Sequence, residues 1–440
     1  MQPGNAGVGG LQGVEEDCSR VVIRRDANVE TDRTLNRQWD NPLAWTAMAA
    51  AVLAARFPDW LRRPRLWAED GNIFFLGATR DWHTDILKPY AGYLHLLPRT
   101  IAWIAHPADP SLVPALYVYS ALLLTLCVVA RACSARLDMP LRPLVALAIV
   151  AVPGTGEVFL CPTNIQWIAA LLFPLTLIMR DPETAGEWAA DIILLAAAGL
   201  TGPFSVFACP CFLWRALSRR TAASWTVALV VVATAAAQGW QLWFHPVARD
   251  CPAGAFRPAG LLAVLSAHIP LAFFGAQGWE HAASETVVCL LGLVGFAAIG
   301  ATLLIRDRRR SQRIQLAAFA AIFVLCTSAK IRLDLWDYRE VVNADRYFYI
   351  PKVIVLWLGA SCLWRLRPAA VVVASLAAAS LLAVDTSIPF VEGPLYVASH
   401  EERPYYDWKP YVGPIRKGQE VVIRTSPGWQ FTLPQAAASR

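Results

Sequence analysis

The sequence predicts an all-α polytopic membrane protein. Three observations carry this. The 440 residues are 56% hydrophobic and only 16% charged, against about 45–50% apolar and about 25% charged in soluble domains. The apolar residues fall in long runs, as membrane helices require. The 18 Trp residues suit aromatic belts at the two interfaces.

Residues 1–42 are Gly-rich, then mixed in charge (Glu15, Glu16, Asp17, Arg24, Arg25, Asp26), and read as a disordered cytoplasmic tail without a signal-peptide core. A membrane domain follows over residues 43–384. Its first span, 43–57, is flanked by Trp45 and Trp60. Residues 59–110 form a long loop, in which 92–105 is apolar but carries Pro98 and Arg99 and reads as an interfacial helix. Further spans are expected at 112–132, 144–159, 165–179, 189–200, 203–217, 225–243, 286–305, 314–328, 347–364 and 369–384. Segment 261–276, with His268 and Pro270 in its middle, is ambiguous.

Charge resolves it. Arg131, Arg136 and Arg142, then Arg215, Arg219 and Arg220, then Arg306, Arg308, Arg309, Arg310 and Arg313, then Arg365 and Arg367 all lie in short loops. Short cytoplasmic loops collect Arg and Lys. These loops share one side only if 261–276 does not cross, which gives about 11 spans, a cytoplasmic N-terminus and residues 385–440 outside, most simply at a bacterial inner membrane. Within that extracytoplasmic tail, 420–424 and 429–433 read as two short strands around a Ser-Pro-Gly turn, packed on the outer loops.

Most Cys lie inside apolar runs and behave as small hydrophobes; Cys161 and Cys251 fall in expected outer loops and could pair. The composition excludes several classes. No GxGxxG opens a helix, and P-loop, HExxH and GxSxG motifs are absent. No basic block interleaved with aromatics suggests nucleic acid, no metal site is expected, and no cofactor is implied.

The chemistry-bearing stretch is Trp67-Ala68-Glu69-Asp70-Gly71-Asn72-Ile73-Phe74-Phe75, followed by Pro89-Tyr90-Ala91-Gly92-Tyr93-Leu94-His95-Leu96-Leu97-Pro98-Arg99. Carboxylates beside a bilayer are costly and therefore functional candidates. Adjacent helical residues diverge by about 100°, so one of the two acids is expected to face a cavity while the other holds an Arg or a backbone N–H. Asp70 is the favoured catalytic base, or failing it Glu69, because Gly71 would let the backbone approach substrate. Arg346, helped by Lys352 or Arg99, is expected to bind phosphate. His95, Tyr93, Glu157, Asn164 and Gln166 are expected to line the substrate site.

An acid, cations and aromatics at one membrane face suit glycosyl transfer from a lipid-phosphate sugar. With its first-loop acid pair Glu69-Asp70, the chain resembles the C-type, multi-spanning glycosyltransferases that use polyprenyl-phosphate sugars. The resemblance implies a catalytic acid at Asp70 or Glu69, juxtamembrane helices in the first outer loop, a polyprenyl-phosphate donor within the membrane lipid, and a glycan, lipid or protein acceptor. The family's His-Pro-Pro type signature is replaced by Gly92-Tyr93-Leu94-His95-Leu96-Leu97-Pro98. A lipid-linked polysaccharide polymerase or ligase, and a transporter or flippase, are the alternatives.

Overall fold

The structure, a computed structural model, describes residues 41–154, 156–246, 254–274, 283–339, 345–363, 407–425 and 428–435. The N-terminal tail up to residue 40, the expected span 369–384 and Cys251 lie outside the described residues. What is described is helical apart from one β-hairpin, as expected of an all-α membrane protein.

At the centre lies the run 165–178, apolar on every side and therefore buried on every side. The expected single span is two short helices here, Ile165–Ala169 (α7) and Leu172–Ile178 (α8). Pro174 lacks an N–H and is best accommodated in the first turn of a helix, where it sits after the restart at Leu172. Around this pair pack α5 (Val113–Ala132), α10 (Phe204–Arg219), α14 (Arg310–Ile331) and α15 (Arg346–Leu363). Next to them stand α1 (Pro42–Arg56), α6 (Arg142–Ala151), α9 (Ala185–Gly199) and α11 (Ala222–Phe244).

Among the described residues four helices are long and apolar enough to cross a membrane: Pro110–Ala132, Ala222–Phe244, Glu285–Leu304 (α13) and Arg310–Ile331. Their outward faces are greasy, with Leu229, Leu290, Val294 and Leu325 exposed. Helix α13 buries only Val288 and Gly292. Other expected spans are shorter helices, including Pro42–Arg56, Arg142–Ala151 and Pro162–Ile178. Helix length therefore supports four of the expected spans and not a count of about 11. A helix covered by its neighbours does not have to present a full bilayer length of apolar surface to lipid. Segment 261–276 folds as α12 (Pro258–His268) and a 3-10 turn (Leu271–Phe274) against α13. Its 11-residue helix is well short of the about 20 residues a crossing needs.

The two ends of the bundle differ in chemistry. At one end the short loops interlock through arginine. Arg136 donates to Asp191 and to the Arg180 carbonyl, and Arg131 also pairs with Asp191. Arg215 and Arg219 pair with Asp181, while Arg308 and Arg309 face Asp138. At the opposite end lie residues 67–95, 153–154, 156–164, 200–203, 330–339 and 345–347, joined by Asp70–Thr163, Leu94–Gly202 and Arg346–Glu157 bonds.

Within the first loop the expected interfacial helix is α4 (Leu96–Ala105). Residues 407–425 and 428–435 pack over this loop. The expected strands form, as Val421–Thr425 (β1) antiparallel to Trp429–Leu433 (β2), with Ile423 opposite Phe431. The Trp408 Nε1–H donates to the Pro110 carbonyl at 2.6 Å, and Arg416 pairs with Asp109 at 2.8 Å.

The Asp191 cluster generates a stability prediction. Asp191→Ala leaves two neighbouring, largely buried guanidinium groups without their shared carboxylate. A loss of about 3–5 kcal/mol is expected, seen as a lowered melting temperature of the detergent-solubilised protein. An unchanged melting temperature would contradict the pairing.

Candidate active site

The acid pair sits at a tight backbone turn. Ala68 has a positive φ of 29°, and the Asp70 N–H donates to the Trp67 carbonyl at 2.6 Å. Asp70 then opens a single π-helical stretch, Asp70–Phe75, which runs into Leu76–Asp85 (α3). The turn sends the two carboxylates apart. Asp70 is 1% exposed. Its Oδ1 accepts from the Thr163 N–H at 2.8 Å and the Thr163 hydroxyl at 2.6 Å, and its Oδ2 from the Trp67 N–H at 3.2 Å. Burial raises its carboxyl from the usual 3.8 to about 7, against the opposing pull of the Thr163 bonds. Glu69 is half-buried and accepts from the Tyr90 hydroxyl at 3.5 Å, so it is the acid within reach of solvent. Of the two acids, it is Asp70, favoured from the sequence as the base, that holds backbone N–H groups.

Tyr90 and Tyr93 are brought side by side by a two-residue turn. Their N–H and C=O groups bond reciprocally at 2.9 and 3.1 Å. Between them Ala91 and Gly92 both take positive φ, 50° and 84°, the geometry of a type I′ turn. Burial, followed by the charge of Glu69, pushes the Tyr90 phenol up to about 12. The Tyr93 phenol is raised chiefly by burial. His95 stacks on Tyr93 with centroids 4.6 Å apart, and its Nδ1–H donates to the Tyr93 carbonyl at 3.2 Å. Burial lowers His95 to about 3, so it stays neutral and acts as a packing surface rather than a proton carrier. The following backbone is pinned from outside the loop, because Leu94 bonds Gly202 and Gln238 while Leu96 bonds Leu200.

Arg346, at the start of α15, closes the other side. Its Nη1 donates to Glu157 Oε2 at 2.5 Å and its backbone N–H to Glu157 Oε1 at 3.2 Å. Its guanidinium lies 5.0 Å from the Tyr347 ring centroid and 31% of the side chain stays exposed. Asn164 orients Glu157 by donating to its carbonyl at 2.6 Å. Tyr347 meets Trp167 edge to face at 5.2 Å. Two buried polar atoms of the wall, Gln166 Oε1 and Trp167 Nε1, have no hydrogen-bond partner.

Glu69, Tyr93, His95, Glu157, Asn164, Gln166 and Arg346 thus converge, with Asp70 beneath them. Lys352 and Arg99 do not join them. Lys352 is buried on Asp345, at 2.7 and 2.8 Å from its two oxygens, and Arg99 is buried on Asp85. Asp345 also meets His268 Nδ1 at 3.1 Å. Cys161 is a buried free thiol. Gly71 serves a different purpose from the one expected. A Cβ there would come within 2.5 Å of the Phe431 ring, so the missing side chain admits the C-terminal hairpin rather than a substrate. Thr163 and Tyr90 were not singled out by the sequence; Tyr90 stood in the quoted stretch, but nothing local marks Thr163.

Comparisons with protein-family models, curated proteins and solved structures gave no match.

Two predictions follow from Asp70 and Gly71. A carboxyl raised by folding favours the protonated native state, so its contribution is fully present below the unfolded value of 3.8 and is lost as pH rises to about 7. Melting temperatures measured between these limits should fall with pH in the wild type, and Asp70→Asn should flatten that component. Gly71→Ala should force Phe431 aside at a cost of about 1–3 kcal/mol, read as faster proteolytic release of residues 407–435. Equal protease resistance would show that the hairpin does not rest on Gly71.

Proposed function

We propose that this protein is a membrane glycosyltransferase that moves a sugar from a polyprenyl-phosphate donor to an extracytoplasmic glycan, lipid or protein acceptor. The observation that carries this reading is the pairing of a solvent-reachable carboxylate, Glu69, with the half-exposed cation Arg346 on either side of Tyr90 and Tyr93. In this reading Glu69 takes the proton from the acceptor hydroxyl. The acceptor oxygen bonds to the anomeric carbon, and the bond from that carbon to the phosphate oxygen breaks with its electron pair. Arg346 stabilises the departing phosphate through the donors that Glu157 leaves open. Asp70 anchors the turn that presents Glu69. Gln166 Oε1 and Trp167 Nε1 supply an acceptor and a donor for sugar hydroxyls, which would end their unpaired state.

The proposal includes the topology. The arginine-locked end faces the cytoplasm and the acid-pair end faces outward, with about 11 spans in a bacterial inner membrane. Cysteine accessibility at positions 69 and 308 should place them on opposite sides; labelling from the same side would overturn it.

A transporter or flippase of the same lipid is the second reading. The buried Asp345–Lys352–His268 cluster favours it, since buried ionisable groups mark coupling sites in such proteins. Reconstituted transfer assays with a set of lipid-phosphate sugars separate the two. Glu69→Gln should lower transfer by about 10²–10⁴-fold without changing donor binding, whereas Asp70→Asn should act mainly on stability. Full transfer by Glu69→Gln would remove Glu69 from the reaction.

A further inference from the structure

The corner between α13 and α14 carries more positive charge than its carboxylates match. Asp307 is taken by Arg313, whose Nη2 lies 2.7 Å from Oδ1. Asp138 is shared by Arg308 and Arg309, at 3.4 and 3.9 Å. Arg306 and Arg310 are exposed, and no carboxylate among the described residues pairs with either. The Arg310 Nε–H donates to the Leu303 carbonyl at 3.3 Å, in the last turn of α13. That bond holds the guanidinium against the end of α13, where Arg306 follows Leu304 by two residues. An apolar strip runs away from this corner. Leu304, Ala301, Ala297, Val294 and Leu290 recur at spacings of three and four residues, the repeat of one helix face, and all five are exposed. The strip is about 20 Å long at 1.5 Å per residue, more than the roughly 15 Å depth of one leaflet of hydrocarbon. On α14 the face that carries Arg310 continues through Ile314 to the exposed Ala321, four and eleven residues on.

We infer that Arg306 and Arg310 hold the phosphate of an anionic phospholipid whose acyl chains lie on the exposed strip of α13. The site is at the end of the bundle opposite Glu69 and is independent of the transfer reading. Three features select this occupant. Guanidinium matches phosphate through paired N–H···O bonds. A zwitterionic headgroup brings a cation of its own, which two unmatched guanidinium groups repel, whereas an anionic headgroup keeps its net negative charge. A free anion gains nothing from the apolar strip, while an acyl chain covers it. The lipid also supplies packing that the protein does not. Only Val288 and Gly292 of α13 are buried within the protein, so a lipid fixed at its end and laid along its face holds a helix with few contacts of its own.

The test uses the full-length protein, delipidated in a neutral detergent, and counts retained lipids by native mass spectrometry. The probes are phosphatidylglycerol, phosphatidylcholine and inorganic phosphate. Wild type should retain phosphatidylglycerol over phosphatidylcholine and should melt at a higher temperature with it. Arg306→Gln and Arg310→Gln should each lower that preference about 5-fold, and the double variant about 30-fold, the scale of basic side chains at an anionic surface. Arg180→Gln removes an equally exposed charge in the link between α8 and α9 and should leave the preference intact. Equal melting temperatures of all variants without added lipid exclude misfolding. Equal retention of the two lipids by wild type would overturn the site, as would an undiminished preference in the double variant. A loss from Arg180→Gln as large as that from Arg310→Gln would replace the site with diffuse surface charge. Displacement of phosphatidylglycerol by inorganic phosphate would make it a site for a free anion and overturn the lipid assignment.

Discussion

The bond between Asp70 and Thr163 is the constraint on which the rest of the acid-pair end depends. It ties the first loop to the 3-10 turn that leads into the central helices, across 93 residues of sequence. From that one joint the geometry propagates in both directions. Upstream, the turn through Ala68 sets the direction of Glu69. Downstream, Gly71 and Phe75 form the seat for Phe431 and Trp408 of the C-terminal segment. A buried carboxyl with three donors on it satisfies its hydrogen-bonding demand internally. It is therefore suited to fixing a loop.

The bundle separates burial from membrane crossing. The apolar run at its centre is short, broken and wholly covered by other helices. The longest apolar helices stand at the periphery, where lipid is the neighbour. Charges follow the same division. At the arginine-rich end most are matched across loops, so each short connection is held by another. At the opposite end the first loop, residues 156–164 and the start of α15 are tied by the Asp70–Thr163 and Arg346–Glu157 bonds.

Much of this was legible in the sequence, and the failures have physical causes. Period and composition located the helices well, and the β-hairpin was displaced by only one residue in its first strand. Clusters of Arg in short loops identified one end of the bundle, because each such cluster is a local property. Helix length was misjudged where hydrophobicity reflected burial by protein instead of contact with lipid; 165–178 is the clear case. The burial of Asp70 could not be read locally, because the partner that holds it, Thr163, is distant in the chain and unremarkable in type. Lys352 and Arg99 looked like candidate anion binders because a sequence displays a charge without its counter-charge. Asp345 lies only seven residues from Lys352, yet the same spacing on a helix would fit an exposed pair equally well.

The seat at Gly71 has a consequence for biogenesis. Its two halves are separated by about 350 residues, so the first loop emerges long before the hairpin that covers it. Contacts of this separation form late, after the intervening helices have been inserted and packed. Until then Phe75 and the glycine backbone stay uncovered at the membrane surface. Completion of the acid-pair region is thus coupled to synthesis of residues 421–433, and a chain halted just before them would carry all four of the long apolar helices among the described residues but an uncovered first loop.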